Sequence, residues 1–341
     1  MPRYAPLCLW IIGCAVATSL VYAKYAPYGA ESEDIYTVFS EGKRLAEGVN
    51  PYARSFNARM DTNDKYAAYF PASYIASGIT QKLGFHEFPG WLSLWRVIFA
   101  TFHFATGILL YVAVWRARGS TSLAMFCSGC WLFNRWSLVV LRIAHLEPVA
   151  LFFLTLTVVL LDSRPVLAWI AFGLSLSFKQ LGMFALPVLL IEQWRLLPVD
   201  HPARGRKLAS LVLAGAVLPL ILVLPFLIMG PVAFAKSMLI NATRHADFNF
   251  NAPSFDVLFN LQGSLSRLPV LLLLFLVYWS FHRGHLNRFA AIAAAMLAFI
   301  WFNPVFFRQY MTWSIPFVLL TLAHTVTRPP GPLNPKIAAA L

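Results

Sequence analysis

The sequence predicts an all-α, polytopic membrane protein: one transmembrane helical bundle of about ten crossings, with a long first outer loop that contains short interfacial helices. Three observations predict it. Hydrophobic residues make up 59% of the 341 and charged ones only 12%, and mean hydropathy is +0.65, a balance that a water-soluble surface does not tolerate. Apolar runs of about 20 residues recur, the length a helix needs to cross about 30 Å of hydrocarbon. Basic residues fall in small groups between those runs. An outer-membrane barrel is excluded, because it shows short alternating segments instead.

The elements follow in order. The first crossing is expected over Pro6–Ala23. Its mid-run Val16-Ala-Thr makes a poor cleavage site, so the segment reads as an anchored helix and not a signal peptide. Residues 24–89 form the first outer loop. The second crossing covers Gly90–Trp115 and stops at Arg116 and Arg118, and the third runs from Ser120 to Phe133. A polar, aromatic stretch follows, with Asn134-Arg-Trp136 and Arg142-Ile-Ala-His-Leu-Glu147. The fourth crossing begins at Pro148 and ends at Asp162-Ser-Arg164. Pro165–Trp194 is too long for one crossing and is interrupted by Lys179-Gln180, so it reads as two short crossings with a turn at the lysine. The seventh is Leu208–Met229, and 231–267 is a second outer loop. The eighth, ninth and tenth are Leu268–Phe281, Phe289–Trp301 and the stretch from Tyr310 to Val326.

The formal charge of +13 suggests nucleic acid until positions are considered. Arg3, Arg116 and Arg118, Arg164, Arg195 with Arg204, Arg206 and Lys207, Arg283 with Arg288, and Arg328 with Lys336 fall in alternate connections. That pattern places both termini in the cytoplasm of a multi-pass protein of the inner (plasma) membrane and excludes a nucleic-acid partner. The opposite connections differ in kind. They mix carboxylates, amides, aromatics and a few cations, and eight of the 14 acidic residues lie in the first of them: Glu31, Glu33, Asp34, Glu41, Glu47, Asp61, Asp64 and Glu87. The inner loops read as anchors, the outer ones as a site.

Several chemistries are absent from the pattern. Cys127-Ser-Gly-Cys130 has CxxC spacing but no second ligand pair and sits in an apolar run, so it reads as two buried small residues. No His/Asp/Glu cluster has metal-ligand spacing. No glycine-rich loop points to a nucleotide. Neither metal nor cofactor is expected.

Asp34 is followed at helical spacing by Val38 and Leu45 and by the turn Gly48-Val-Asn-Pro-Tyr52, which describes a short amphipathic helix on the membrane surface. On position alone Asp34 is a helix cap. The pattern Asp34-x-Tyr36, then Gly48-Val-Asn-Pro-Tyr52, then Tyr69-Phe-Pro71, resembles the first outer loop of glycosyltransferases of the C superfamily, most closely family 87, the polyprenyl-phosphate-mannose-dependent mannosyltransferases. The resemblance implies that Asp34 is the catalytic base. Lys179, after a small-residue helix and before Pro187, is similar to that family's mid-chain lysine, although Gln180 stands where proline is common.

The implied reaction moves a sugar, mannose or another hexose, from a polyprenyl-phosphate donor to a lipid or glycan acceptor on the outer face, with inversion. Such a displacement needs one base for the acceptor hydroxyl and cations near the departing phosphate. Asp34 is expected to be that base, and Lys179 and Arg308 the phosphate-binding cations, with Arg135 and Arg142 also on the outer side. Tyr36, Tyr52, His145, Glu147, Gln180 and Tyr310 are candidates for substrate contact. Each has a plainer alternative. Lys179 can snorkel to the interface, Arg308 can pack on Phe307 and Tyr310, and Glu147 can stabilise a helix N-terminus. Asn241, Asn249, Asn251, Asn260 and His245 in the second outer loop suit sugar hydroxyls and turns equally. The competing class is a transporter or lipid flippase, which should show inverted repeats and ionisable groups at the bilayer midplane. Neither is evident in the sequence.

Overall fold

A computed structural model describes residues 8, 10–13, 34–56, 66–197, 203–243, 255–261, 263–304 and 306–325. Among them the protein is all helical, with no strand. The expected first crossing, Pro6–Ala23, lies mostly outside the described residues.

Residues of the expected first outer loop fold into α1 (Asp34–Ala46), a 3-10 turn (Pro51–Phe56) and α2 (Ala72–Lys82). α1 is amphipathic, burying Ile35, Val38 and Phe39. It packs closely on α2, because a Cβ placed on Gly42 would stand 2.1 Å from Ser77 Oγ. α3 (Phe88–Arg118) and α4 (Thr121–Phe133) follow as an antiparallel pair. Asn134 then serves two helices. Its amide donates to the carbonyls of Cys130 and Trp131, closing α4, and its oxygen accepts from the Trp136 and Ser137 amides, opening α5 (Arg135–Arg142).

α6 (Glu147–Leu160) and α7 (Pro165–Phe178) form a helical hairpin. The expected break at Lys179 is present: the 3-10 segment Gln180–Phe184 separates α7 from α8 (Leu186–Leu196). α7 packs on α6 and on α9 (Arg204–Met229), while α8 turns away to contact the helices that follow. The α7–α9 crossing is held by two small residues, since a Cβ on Gly173 would fall 2.1 Å from the Gly215 carbonyl oxygen.

The stretch expected as a second outer loop differs from expectation at its start. Residues Pro231–Thr243 form α10, with proline in its first turn and Ala233, Phe234 and Ser237 buried against the Pro51–Phe56 turn. The chain continues through the short α11 (Phe255–Leu258) and a 3-10 turn (Gly263–Arg267) into α12 (Leu268–His282), α13 (Arg288–Phe302), a 3-10 turn (Arg308–Thr312) and α14 (Ile315–Thr325).

Among the described residues three helical segments are long and apolar enough to cross a membrane: α3, α9 and the Gly263–His282 stretch that contains α12. The α4–α5 pair, bent by 43°, makes a fourth when taken as one span. α6, α7 and α13 are apolar but shorter, at 14, 14 and 15 residues.

Arginines gather where α3, α8, α12 and α14 end and α9 and α13 begin. Arg118 donates to the Ala323 and His324 carbonyls at the end of α14, and Arg195 to those of Phe281 and His282 at the end of α12. Arg204 reaches the Trp194 carbonyl, and Arg288 binds Asp162 through both terminal guanidinium nitrogens, Nη1 and Nη2. The helix ends opposite to these carry the carboxylates, lysine and amides described next.

Candidate functional site

Several backbone breaks bring the polar residues together. The first is the start of α1, which carries Asp34. The second is the extended segment before α2. The Ala68 and Tyr69 amides donate to Tyr74 Oη, the Tyr69 carbonyl accepts from Tyr52 Oη at 2.8 Å, and the Ala67 carbonyl accepts from Ser237 Oγ. Those bonds fix Tyr69, whose hydroxyl donates to Asp34 Oδ2 at 2.8 Å.

The third break ends α5. Ala144 adopts φ +56°, the left-handed conformation that usually falls to glycine after a helix. A buried alanine there stores strain of about 1–3 kcal/mol. The reversal places His145 Nδ1 4.0 Å from Asp34 Oδ2 and starts α6 two residues later at Glu147.

The fourth break ends α7. Lys179 leaves the helix with extended backbone and turns its ammonium to Glu147 Oε1, 2.5 Å away. The pair is buried, with Glu147 wholly enclosed. It closes the open end of the α6–α7 hairpin. Each charge also sits at the favourable end of its helix dipole, the carboxylate at the N-terminus of α6 and the ammonium at the C-terminus of α7. Trp313 Nε1 donates to the same Glu147 oxygen at 3.4 Å. Glu147 Oε2 is buried and has no hydrogen-bond partner among the described residues.

Tyr69 joins the two halves. Its hydroxyl sits on Asp34, and Lys179 Nζ lies 5.0 Å from the centre of its ring. Burial pushes the Tyr69 phenol well above its usual range, and the Asp34 and Glu147 carboxylates push it further. It is therefore a neutral donor to Asp34 at any working pH. Burial also raises the Tyr52 and Tyr74 phenols, so both remain donors or acceptors without charge.

The structure thus assembles Asp34, His145, Glu147 and Lys179 from the sequence-predicted set, and Gln180 adjoins them, its amide donating to the Ala68 carbonyl at 3.0 Å. Tyr52 is fully buried among Tyr74, Phe226 and Phe234 and reaches the cluster through the Tyr69 carbonyl. Tyr36 is exposed on α1, its ring edge-on to Phe88. Arg308 is exposed at the start of its 3-10 turn, which packs on α5, and Tyr310 in the same turn lies 4.3 Å from the Trp313 ring. Asn249, Asn251 and His245 lie outside the described residues.

Tyr69 and Trp313 are the contributors that reading the chain for charged groups passes over. Tyr69 stood only as part of the Tyr69-Phe-Pro71 pattern, and Trp313 in an apolar run gave no signal. Among the described residues no three His, Cys, Asp or Glu side chains converge as metal ligands. No family model, curated protein or solved structure matches this chain.

Proposed function

We propose that the chain is an inverting membrane glycosyltransferase that moves a hexose from a polyprenyl-phosphate donor to a hydroxyl of a lipid or glycan acceptor on the outer face of the membrane. One observation carries the proposal. A partly exposed carboxylate, Asp34, with 32% of its side chain accessible, is held by a neutral tyrosine donor at the edge of an otherwise buried polar cluster. A general base needs that placement: open to substrate and fixed in direction.

In the reaction Asp34 takes the acceptor hydroxyl proton as the acceptor oxygen bonds to the anomeric carbon. The bond from that carbon to the phosphate oxygen breaks, its electron pair leaves with the polyprenyl phosphate, and the anomeric centre inverts. Negative charge grows on the phosphate, and exposed Arg308 is a candidate to meet it, in the turn packed on α5, which itself carries Arg135 and Arg142. Further support comes from the segregation of polar groups, arginine-capped helix ends on one side and this cluster on the other. That arrangement favours about ten crossings, cytoplasmic termini and an outward site. A transporter or flippase calls for inverted repeats, which the sequence does not show.

The test is incubation of the purified protein with radiolabelled polyprenyl-phosphate mannose and a panel of lipid and glycan acceptors. Transfer by the wild type, lost in Asp34→Asn, is expected. Donor binding with no transfer to any acceptor, alongside donor movement across a vesicle membrane, would make it a flippase.

A further inference from the structure

We infer that the buried Glu147–Lys179 pair recognises a hydroxyl of the donor sugar, with Glu147 Oε2 as the acceptor atom, and that Lys179 does not bind the phosphate. The inference rests on the glycosyltransferase proposal and names what this end of the site reads.

Three observations point to it. Lys179 already has a counter-charge: its ammonium contacts Glu147 Oε1 at 2.5 Å and packs on the Tyr69 ring. A phosphate approaching it would meet the Glu147 carboxylate in the same place and Asp34 across Tyr69, so repulsion would offset the attraction. Next, Oε1 is fully used by Lys179 and Trp313, whereas Oε2 is buried with no donor among the described residues. A buried carboxylate oxygen without a partner is costly and signals a group the structure does not contain. Finally, Oε2 is a carboxylate oxygen set between the Lys179 ammonium and the α6 N-terminus, with no donor on it among the described residues. The complementary ligand group is a neutral donor, which a sugar hydroxyl is and a phosphate is not.

The pair also has a structural duty, closing the α6–α7 hairpin. Removing one member strands the other, so single variants confuse recognition with folding. The double variant E147M/K179M replaces both with apolar chains of similar length and leaves no buried charge.

The experiment uses full-length protein in nanodiscs and two probes. The first is polyprenyl phosphate without a sugar, measured by direct binding. The second is a set of polyprenyl-phosphate mannose analogues, each lacking one hydroxyl, measured by transfer. The wild type is expected to transfer the parent sugar and to lose about tenfold or more with one particular deoxy analogue, as a charged hydrogen bond warrants. E147M/K179M is expected to bind polyprenyl phosphate as the wild type does, to transfer the parent sugar more slowly, and to make no distinction between the parent and that one analogue.

Two results overturn the inference while leaving the enzyme proposal standing. One is a fall in polyprenyl-phosphate affinity in E147M/K179M, with the deoxy discrimination intact, which returns Lys179 to the phosphate. The other is a wild type indifferent to every deoxy position, which means water satisfies Oε2. A wild type that neither binds polyprenyl phosphate nor transfers any sugar removes the enzyme proposal and this inference with it.

Discussion

Replacing Asp34 by asparagine separates catalysis from architecture at the site. The amide has nearly the same volume, and its oxygen can still accept from Tyr69 Oη, which lies 2.8 Å from Asp34 Oδ2. The structural loss is the difference between a charged and a neutral hydrogen bond at a side chain that is 32% exposed. With solvent screening that is about 1 kcal/mol, and the melting temperature should fall by no more than about 3 °C. The chemical loss is of another order, because an amide cannot take a proton and a positioned base contributes about 10²–10⁴-fold. Asp34→Glu keeps the charge but displaces it by roughly an ångström, which should cost about a hundredfold. The assay is transfer from radiolabelled polyprenyl-phosphate mannose in nanodiscs, with a melting curve on each preparation. If Asp34→Asn transfers within tenfold of wild type, Asp34 is a helix-terminal residue, and the base must be sought elsewhere.

Other outcomes follow from the same geometry. Tyr69→Phe removes a neutral donor from the ionised carboxylate. Losing a hydrogen bond to the charged form favours protonation, so the acidic limb of the rate profile should move to higher pH; a slower enzyme with an unmoved limb would make Tyr69 a packing residue only. Gly173→Ala places a methyl 2.1 Å from the Gly215 carbonyl oxygen, so α7 and α9 must separate. A loss of about 1–3 kcal/mol is expected in thermal unfolding, and an unchanged melting curve would remove that crossing from the fold. In a cysteine-free background, a membrane-impermeant maleimide should label Glu87→Cys but not Gly205→Cys in intact cells, and the reverse pattern would turn the cluster to the inner face.

Much of the helix order is legible in the sequence, because hydrophobic period and basic punctuation act locally. The α7–α8 break at Lys179 was visible for that reason: a lysine and a glutamine interrupt an apolar run. α10 was not. Pro231 and the polar Lys236 and Ser237 resemble a loop until Tyr52 supplies the surface on which Phe234 packs, 4.9 Å away. The site was legible by residue type and not by pairing. Glu147 and Lys179 stood out as costly charges, yet nothing in a linear chain says that they neutralise each other across 32 positions. Tyr69 connects to Asp34 over 35 positions, and only the folded outer loop brings them together. The left-handed Ala144 had no signal, since glycine is the residue that announces such a turn.

The length of the hairpin says how deep this cluster lies. α6 and α7 hold 14 residues each, about 21 Å at 1.5 Å per residue. In the proposed orientation their connecting turn, with Asp162 and Arg164, lies at the inner edge of about 30 Å of hydrocarbon. The opposite end, where Glu147 meets Lys179, then stops about 9 Å short of the outer edge. An isolated charge at such depth is expensive. Here the ion pair, the two helix termini and the Trp313 indole share that cost. A ligand group that descends to the pair leaves water to do so. A neutral hydroxyl loses little solvation on the way, whereas a phosphate loses several kcal/mol that a lysine already bound to a glutamate does not return. Under the proposed reaction, depth and charge would divide the donor in the same way, the sugar toward Glu147 and the phosphate toward exposed arginines such as Arg308. On that division Asp34, partly exposed and joined through Tyr69 to the Lys179 end of the cluster, is the carboxylate left to take the acceptor proton.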